Sequence, residues 1–408
     1  MNKRGWLSKN LVIITLVSLT QDAASELMYP LLPLLLTGLL AAPPVVLGVI
    51  EGVADATTGV TRYFAGKWSD RTGRKPFITA GYALAAVGKI LVAAATVWPV
   101  VALGRVTDRL GKGLRSAPRD ALIASAVERK DLGRAFGFHR AGDTLGAVIG
   151  PLLGLLALAA AGDDLHQALW WAIVPAALSV ILVLFIREPK RQTPAAVELA
   201  TELAESRRDA PAATGSKVKL SRQFWVVSTV LVLVALLNFS DLLLLLRISD
   251  LGFSTTETVL AYVMFNLVYS TMSYPAGVFT DSWSKPLVYA IGLGAFAVAY
   301  IGLGLVQGGP AVYLLMAVYG LFPAFTEGVG KAWVSSLVDK QHLGRAQGIF
   351  QSLNAAAVLT AGIWAGLMWG SDGGRGTLPL LISGFGAVFA VVLFLAWSRR
   401  GSSSSTRA

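Results

Sequence analysis

Apolar residues run through this chain in blocks of roughly 20, long enough to cross a hydrocarbon core of about 30 Å. Short polar breaks separate the blocks. Read between those breaks, the pattern predicts twelve membrane-spanning helices, at 11–40, 45–67, 76–98, 101–126, 134–161, 167–187, 223–247, 257–280, 286–306, 311–337, 345–369 and 377–398. The longest polar stretch, 188–222, reads as a linker between one six-helix bundle over 1–187 and a second over 223–398. The polar end, 399–408, reads as a disordered tail. The expected fold class is an all-α membrane protein with twelve transmembrane helices.

The basic residues set the orientation. Lys67, Arg71, Arg74, Lys75, Arg129, Lys130, Arg134, Lys190, Arg191, Arg207, Arg208, Lys217, Lys219, Lys285, Lys340, Arg345, Arg399 and Arg400 all fall in alternate loops or the tail, and the opposite loops hold almost none. By the positive-inside rule this places the N- and C-termini in the cytoplasm. The expected location is the bacterial inner (plasma) membrane, crossed many times. The fourth span tests the count, because it carries Arg105, Asp108, Arg109, Lys112, Arg115, Arg119 and Asp120. Each charge costs about 2.5–3.5 kcal/mol at the centre of a helix on insertion scales. Dropping this span would invert every later loop and put 188–222 outside, so topology requires that it span.

Composition agrees. The 408 residues are 54% hydrophobic and 14% charged, against about 25% charged in soluble domains. Cysteine is absent, which excludes disulfides, thiolate metal sites and cysteine nucleophiles. His139, His166 and His342 are scattered, so no metal site is expected. The net charge of +11 sits in membrane loops rather than on a soluble fold, so nucleic acid is not an expected partner. Lys3, Arg4 and Lys9 ahead of Leu11–Val17 are like a signal peptide, yet the apolar pattern resumes over 27–40, so the segment reads as an uncleaved first helix.

Two motifs stand out. Gly66-Lys-Trp-Ser-Asp70-Arg71-Thr-Gly73-Arg74-Lys75 lies between spans two and three. Gly66 permits close helix approach, Asp70 can accept hydrogen bonds from a helix end or an Arg, and the bases suit an anionic leaflet. A degenerate copy, Gly277-Val-Phe-Thr-Asp281-Ser-Trp-Ser-Lys285, follows 211 residues later, as Leu343-Gly-Arg-Ala-Gln-Gly348 follows Leu132-Gly-Arg-Ala-Phe-Gly137. The second motif, Gly142, Gly146, Gly150, Pro151 and Gly154 on span five, gives a flat, kinked packing strip. Ordinary small-residue packing is the alternative reading of the strip.

These residues resemble the major facilitator superfamily, whose signature is Gly-x-x-x-Asp-Arg-x-Gly-Arg-Lys/Arg. The resemblance covers essentially the whole chain and is closest to drug/proton antiporters of a less characterised bacterial branch, to which Asn238-Phe-Ser-Asp241 also points. It implies a secondary transporter, not an enzyme, acting as a monomer. A proton gradient drives it and no cofactor is needed. The implied partners are the lipid bilayer, protons and a small-molecule substrate. The resemblance also implies a gate at Gly66, Asp70, Arg71, Arg74 and Asp281, with Asp143, Gly150 and Pro151 from the antiporter motif.

The charged interior offers the chemistry. At 100° per residue the ionisable side chains of span four share an arc of about 140°, which cannot face lipid. Acids answer from span one (Asp22, Glu26, with Tyr29 on the same face) and span two (Glu51, Asp55). One reading is a structural ion network. The other assigns proton coupling to Asp22, Glu26, Asp55 and Glu51, since protonation of a buried carboxylate can bias one conformation. Arg105, Arg109, Lys112 and Arg115 are candidates for an anionic substrate group. Tyr29, Asp241, Asn266, Glu327 and Trp333 add polar and aromatic lining. The expected function is proton-coupled antiport exporting a small anionic or amphipathic organic molecule; the alternative is an uptake symporter for an organic anion.

Overall fold

A computed structural model describes residues 7–125, 132–188, 220–338, 343–372 and 375–405. Most of the expected linker, and Arg129, Lys130 and Lys340 with it, lie outside the described residues. Among the described residues the chain is helical and without strands. The helices are α1 (Lys9–Met28), α2 (Val45–Thr72), α3 (Lys75–Ala93), α4 (Trp98–Ser125), α5 (Leu132–Ala160), α6 (Leu165–Trp170), α7 (Ile173–Leu184), α8 (Arg222–Ala235), α9 (Asp241–Asp250), α10 (Thr255–Ser282), α11 (Lys285–Leu305), α12 (Ala311–Ser335), α13 (Leu343–Met368) and α14 (Thr377–Ser405). They supply all twelve expected spans.

Three spans differ from an unbroken rod. The first leaves α-helix at Tyr29, passes through a 3-10 turn at Tyr29–Leu31 and finishes as a π-helix over Leu34–Leu39. Pro30 and Pro33 lack the N–H groups that a regular ladder needs. The sixth is interrupted between α6 and α7. The seventh, expected as one helix over 223–247, is two: α8 stops at Ala235 and α9 starts at Asp241. Ser240 is the reason for the restart, because its side chain accepts the amide N–H of Leu242 as an N-cap. The last helix continues to Ser405, so the tail expected to be disordered from 399 is helix up to that residue.

Eight of these spans are long and apolar enough by composition to cross a membrane. The four that fall short are the second, fourth, seventh and eighth. They carry charges, a break, or a run of Thr, Tyr, Ser and Asn. The same four turn their polar faces inward, so the polarity that weakens the span signal marks the helices that build the site.

α1 to α7 form one bundle and α8 to α14 the other. Within the first, α5 lies directly on α1. A Cβ on Gly146 would sit 2.6 Å from the Leu19 carbonyl oxygen, and one on Gly154 2.8 Å from that of Leu27. Between the bundles α2 meets α13: a Cβ on Gly362 would lie 2.8 Å from Gly48 Cα, and one on Gly52 2.6 Å from Leu359 Cα. This seal is at the end of the molecule where α2 starts and α13 stops. Towards the other end, Cβ atoms on Gly59, Gly277 and Gly348 would meet open space. Gly59 shares the face of α2 that carries Gly48 and Gly52, and Gly348 the face of α13 that carries Gly362, so α2 and α13 part towards that end.

Candidate translocation site

The charged face of α4 is turned into the first bundle. Arg105 holds Glu51 of α2 through Nε at 2.8 Å and also through Nη2. Arg109 reaches the second oxygen of Glu51 at 3.3 Å and Asp55 at 3.8 Å. Lys89 of α3 binds Asp108 at 2.8 Å, and Arg105 approaches the same carboxylate at 3.9 Å. Arg115 lies 4.6 Å over the Tyr82 ring and Arg119 pairs with Asp120 at 3.1 Å. The network reading of the sequence thus describes Glu51, Arg105, Asp108 and Arg109. Among the expected coupling acids, Glu51 is doubly paired. Among the expected substrate bases, Arg105 and Arg109 are already engaged by protein carboxylates.

Lys112 is different. Among the described residues its ammonium has no hydrogen-bond or ion-pair partner, and the groups acting on it are Arg109, Asp22, Arg115 and Asp55. Asp22 likewise makes no ion pair among the described residues; Asp143, Lys112, Arg115 and Arg119 act on it. Asp143 itself stands 3.5 Å from His139. The Asp55 side chain is 51% exposed although it lies mid-helix and faces α4. A charge in that position does not face lipid, so its exposed side is turned to the space between the bundles.

Glu26 crosses the boundary between the halves. Its carboxylate accepts the Tyr262 hydroxyl of α10 at 2.8 Å. The antiporter-like glycine strip places it there: a Cβ on Gly150 would fall 2.7 Å from both the Ala23 carbonyl oxygen and Glu26 Cβ. Pro151 follows inside α5. The strip brings α5 against α1, the helix carrying Asp22 and Glu26.

The second bundle offers an aromatic wall. Tyr262, Phe265 and Tyr269 stack along α10, and Tyr319 of α12 stacks on Phe265 at 5.0 Å. Tyr29 stands 5.5 Å from Tyr262 with Arg105 over its other side at 5.5 Å. Tyr319 donates to Asp241 at 2.6 Å. Tyr269 donates to Glu327 at 3.0 Å and accepts from Arg140 of α5 at 3.1 Å, a second link between the halves. Asn266 donates to the Tyr262 carbonyl. Trp333 is not part of this wall: it packs on Phe394 and Trp397 in the core of the second bundle.

At the signature loop, Gly73 takes φ +104°, which glycine adopts without strain. The Arg74 and Lys75 amides then donate to Glu188 at 2.7 and 3.0 Å, and the Arg74 guanidinium donates to the Ala121 carbonyl at 3.0 Å. Gly66 lets α2 rest on Ala117 of α4, at 3.4 Å from a Cβ placed there. The side chains of Asp70, Arg71 and Asp281 lie outside the described residues.

Sequence reasoning missed Tyr262, Glu188 and Arg247. Tyr262 had a signal, since 262, 265, 266 and 269 share one helical face. Glu188 had none, because its partners are backbone amides more than a hundred residues away.

The Major Facilitator Superfamily profile matches residues 14–248 and 242–408. The chain belongs to this superfamily. It is a multi-pass membrane transporter and not an enzyme. It is 27% identical over 393 residues to an uncharacterized MFS-type transporter of Methanocaldococcus jannaschii, covering 95% of this chain and 93% of that protein. It is 23% identical over 390 residues to the class C tetracycline resistance protein of Escherichia coli, covering 89% and 93%. The fold matches the nucleoside transporter NupG with a TM-score of 0.74 at 15% identity, over 95% of this chain and 99% of the other. It matches a D-xylose-proton symporter with a TM-score of 0.73 at 16% identity, over 94% and 96%.

Proposed function

We propose that this MFS transporter is a proton-coupled antiporter of the inner membrane that exports a small amphipathic organic molecule, working as a monomer. The observation that carries the reading is the Glu26–Tyr262 contact. A carboxylate on the first span is held by the opposite half, so its charge state bears directly on the arrangement of the halves. An ionised Glu26 accepts a charge-assisted hydrogen bond, and such bonds contribute about 1.5–3 kcal/mol. Protonation weakens that link and favours the other arrangement. Asp22 and the exposed Asp55 give a proton a route along the same cavity.

The substrate reading follows from what is left unpaired. Arg105 and Arg109 are held by Glu51 and Asp55, which weakens the case for a wholly anionic substrate. Lys112 and Asp22 remain on one side, and the Tyr262–Phe265–Tyr319 wall faces them. That combination suits a molecule with a flat apolar body and a polar end. The tetracycline resistance protein among the relatives is consistent with efflux.

The test is made in inside-out vesicles energised with a proton gradient, using a panel of tetracycline, cationic dyes and aromatic acids, with Glu26→Gln beside the wild type. Dissipation of the gradient by one compound, lost in Glu26→Gln, is the expected result. Uptake of a compound into right-side-out vesicles along the proton gradient would instead make the chain a symporter and overturn the export direction.

A further inference from the structure

α3 and α4 touch backbone to backbone where two glycines meet. A Cβ on Gly88 would lie 2.6 Å from the Gly104 carbonyl oxygen, and one on Gly104 2.7 Å from that of Gly88. The residue after each glycine is a base, Lys89 and Arg105, and both are turned to Asp108. α1 closes the third side. Its serine there, Ser25, is short, and a cavity of about 10 Å³ remains between the three helices. Ser25, Lys89, Arg105 and Asp108 form the polar side of this cavity, and Met28 and Val92 belong to its apolar side.

The polar groups around the cavity have hydrogen bonds left to make. The Lys89 ammonium carries three N–H groups and gives one of them to Asp108 Oδ1 at 2.8 Å. Arg105 commits Nε and Nη2 to Glu51. Its Nη1 stays 3.9 Å from Asp108 Oδ2, too far for a hydrogen bond. Among the described residues neither Asp108 Oδ2 nor the Ser25 hydroxyl meets a hydrogen-bond partner. Lys89, Arg105 and Asp108 are 3%, 5% and 3% exposed, and groups buried to that degree are almost always hydrogen-bonded.

The size and the four groups together select the occupant. A space of this size holds one non-hydrogen atom, about that of a single water. A cation would face Lys89 and Arg105, and an anion would face Asp108. A neutral molecule that both donates and accepts satisfies all four groups. It accepts from Lys89 Nζ and Arg105 Nη1 and donates to Asp108 Oδ2 and Ser25 Oγ.

We propose that this cavity binds a single water molecule that joins α1 to α3 and α4. The water gives Lys89 and Asp108 partners beyond one another, as a buried ion pair requires when its remaining donors and lone pairs face no protein group. It also ties α1 to α4 at Ser25, the residue before Glu26, whose carboxylate reaches the other half. The site is independent of the direction and coupling of transport.

Met28 reports on the site. Its side chain lines the cavity and is 3% exposed, and Met316, 0% exposed in the core of the second bundle, is its matched control. The full chain in lipid nanodiscs is given short X-ray pulses, which split water into hydroxyl radicals, and sulfoxide formation at each methionine is read by mass spectrometry. A buried sulfur is oxidised quickly only when water sits beside it. The expected result is oxidation of Met28 several-fold faster than that of Met316. Ser25→Val fills the space and should bring Met28 down to the Met316 rate. Ser25→Ala keeps the room and removes one of the four partners, so it should lower the rate less. It carries the test if the thermal unfolding midpoint shows that Ser25→Val is not folded. Oxidation of Met28 no faster than that of Met316 in the wild type, or a fast rate unchanged in every folded variant, overturns the proposal.

Discussion

The side chains that decide this molecule are charges paired inside the first bundle and charges left unpaired beside it. Lys89 and Asp108 are each 3% exposed and depend on one another. Breaking a buried pair by removing one partner costs about 3–5 kcal/mol, whereas replacing both by apolar residues of similar volume is often close to neutral. Asp108→Asn is therefore expected to lower the unfolding midpoint in detergent strongly, and Lys89→Met with Asp108→Leu to recover most of the loss. Tyr262→Phe makes the opposite kind of change. It removes the hydroxyl that Glu26 accepts and leaves the ring stacking of α10 intact, so stability should hold. With a charge-assisted bond contributing about 1.5–3 kcal/mol, the balance between the two arrangements should move roughly tenfold or more towards the one lacking this contact. Gradient dissipation in vesicles against pH reads it as a displaced profile at unchanged protein level.

At the scale of elements, glycines set which helices can touch. Gly150 and Gly59 make a controlled pair. A side chain on Gly150 meets Glu26 Cβ and the Ala23 carbonyl, so Gly150→Leu should push α1 from α5, lower stability and reduce transport. Gly59 faces open space, and Gly59→Ala should be neutral or stabilise by up to about 1 kcal/mol through helix propensity. Thermal unfolding and vesicle transport, measured on both, check the contrast. Ser240→Ala tests the broken span, since loss of an N-cap typically costs about 1 kcal/mol. Much of this was legible in the chain. The twelve spans followed from apolar blocks, and the inward face of α4 followed from the 140° arc of its charges. The break at 236–240 was hidden, although Ser240-Asp241 is an N-cap sequence, because Leu242–Leu246 continue the apolar run on its far side. The pairing of Arg105 with Glu51 could not be read, since either acid on α2 has suitable spacing. Neither could the fate of Arg247. An Arg at the end of an apolar run reads as an interfacial residue, yet it is 1% exposed and donates to the Leu303, Gly304, Val306 and Arg375 carbonyls. Those acceptors come together only when α9, α11 and the turn before α14 are packed.

Across the whole molecule, the α2–α13 contact holds the halves together at one end. The proposed antiport requires that contact to part, so whatever wedges it should shift the balance between the two arrangements. The absence of cysteine makes that measurable without background. A Cβ on Gly348 of α13 meets open space, so Gly348→Cys should react with a water-soluble maleimide without disturbing the seal. Gly362→Leu then acts as the wedge. Its side chain would overlap Gly48, so adding it to Gly348→Cys should slow the labelling several-fold, while Gly59→Ala, which also meets open space, should leave the rate unchanged. Equal labelling rates in all three proteins would mean that the glycine contact does not hold the halves together. The seal would then have to come from the tyrosine contacts of α10, and Tyr262→Phe in the same cysteine background would show it directly as a changed labelling rate.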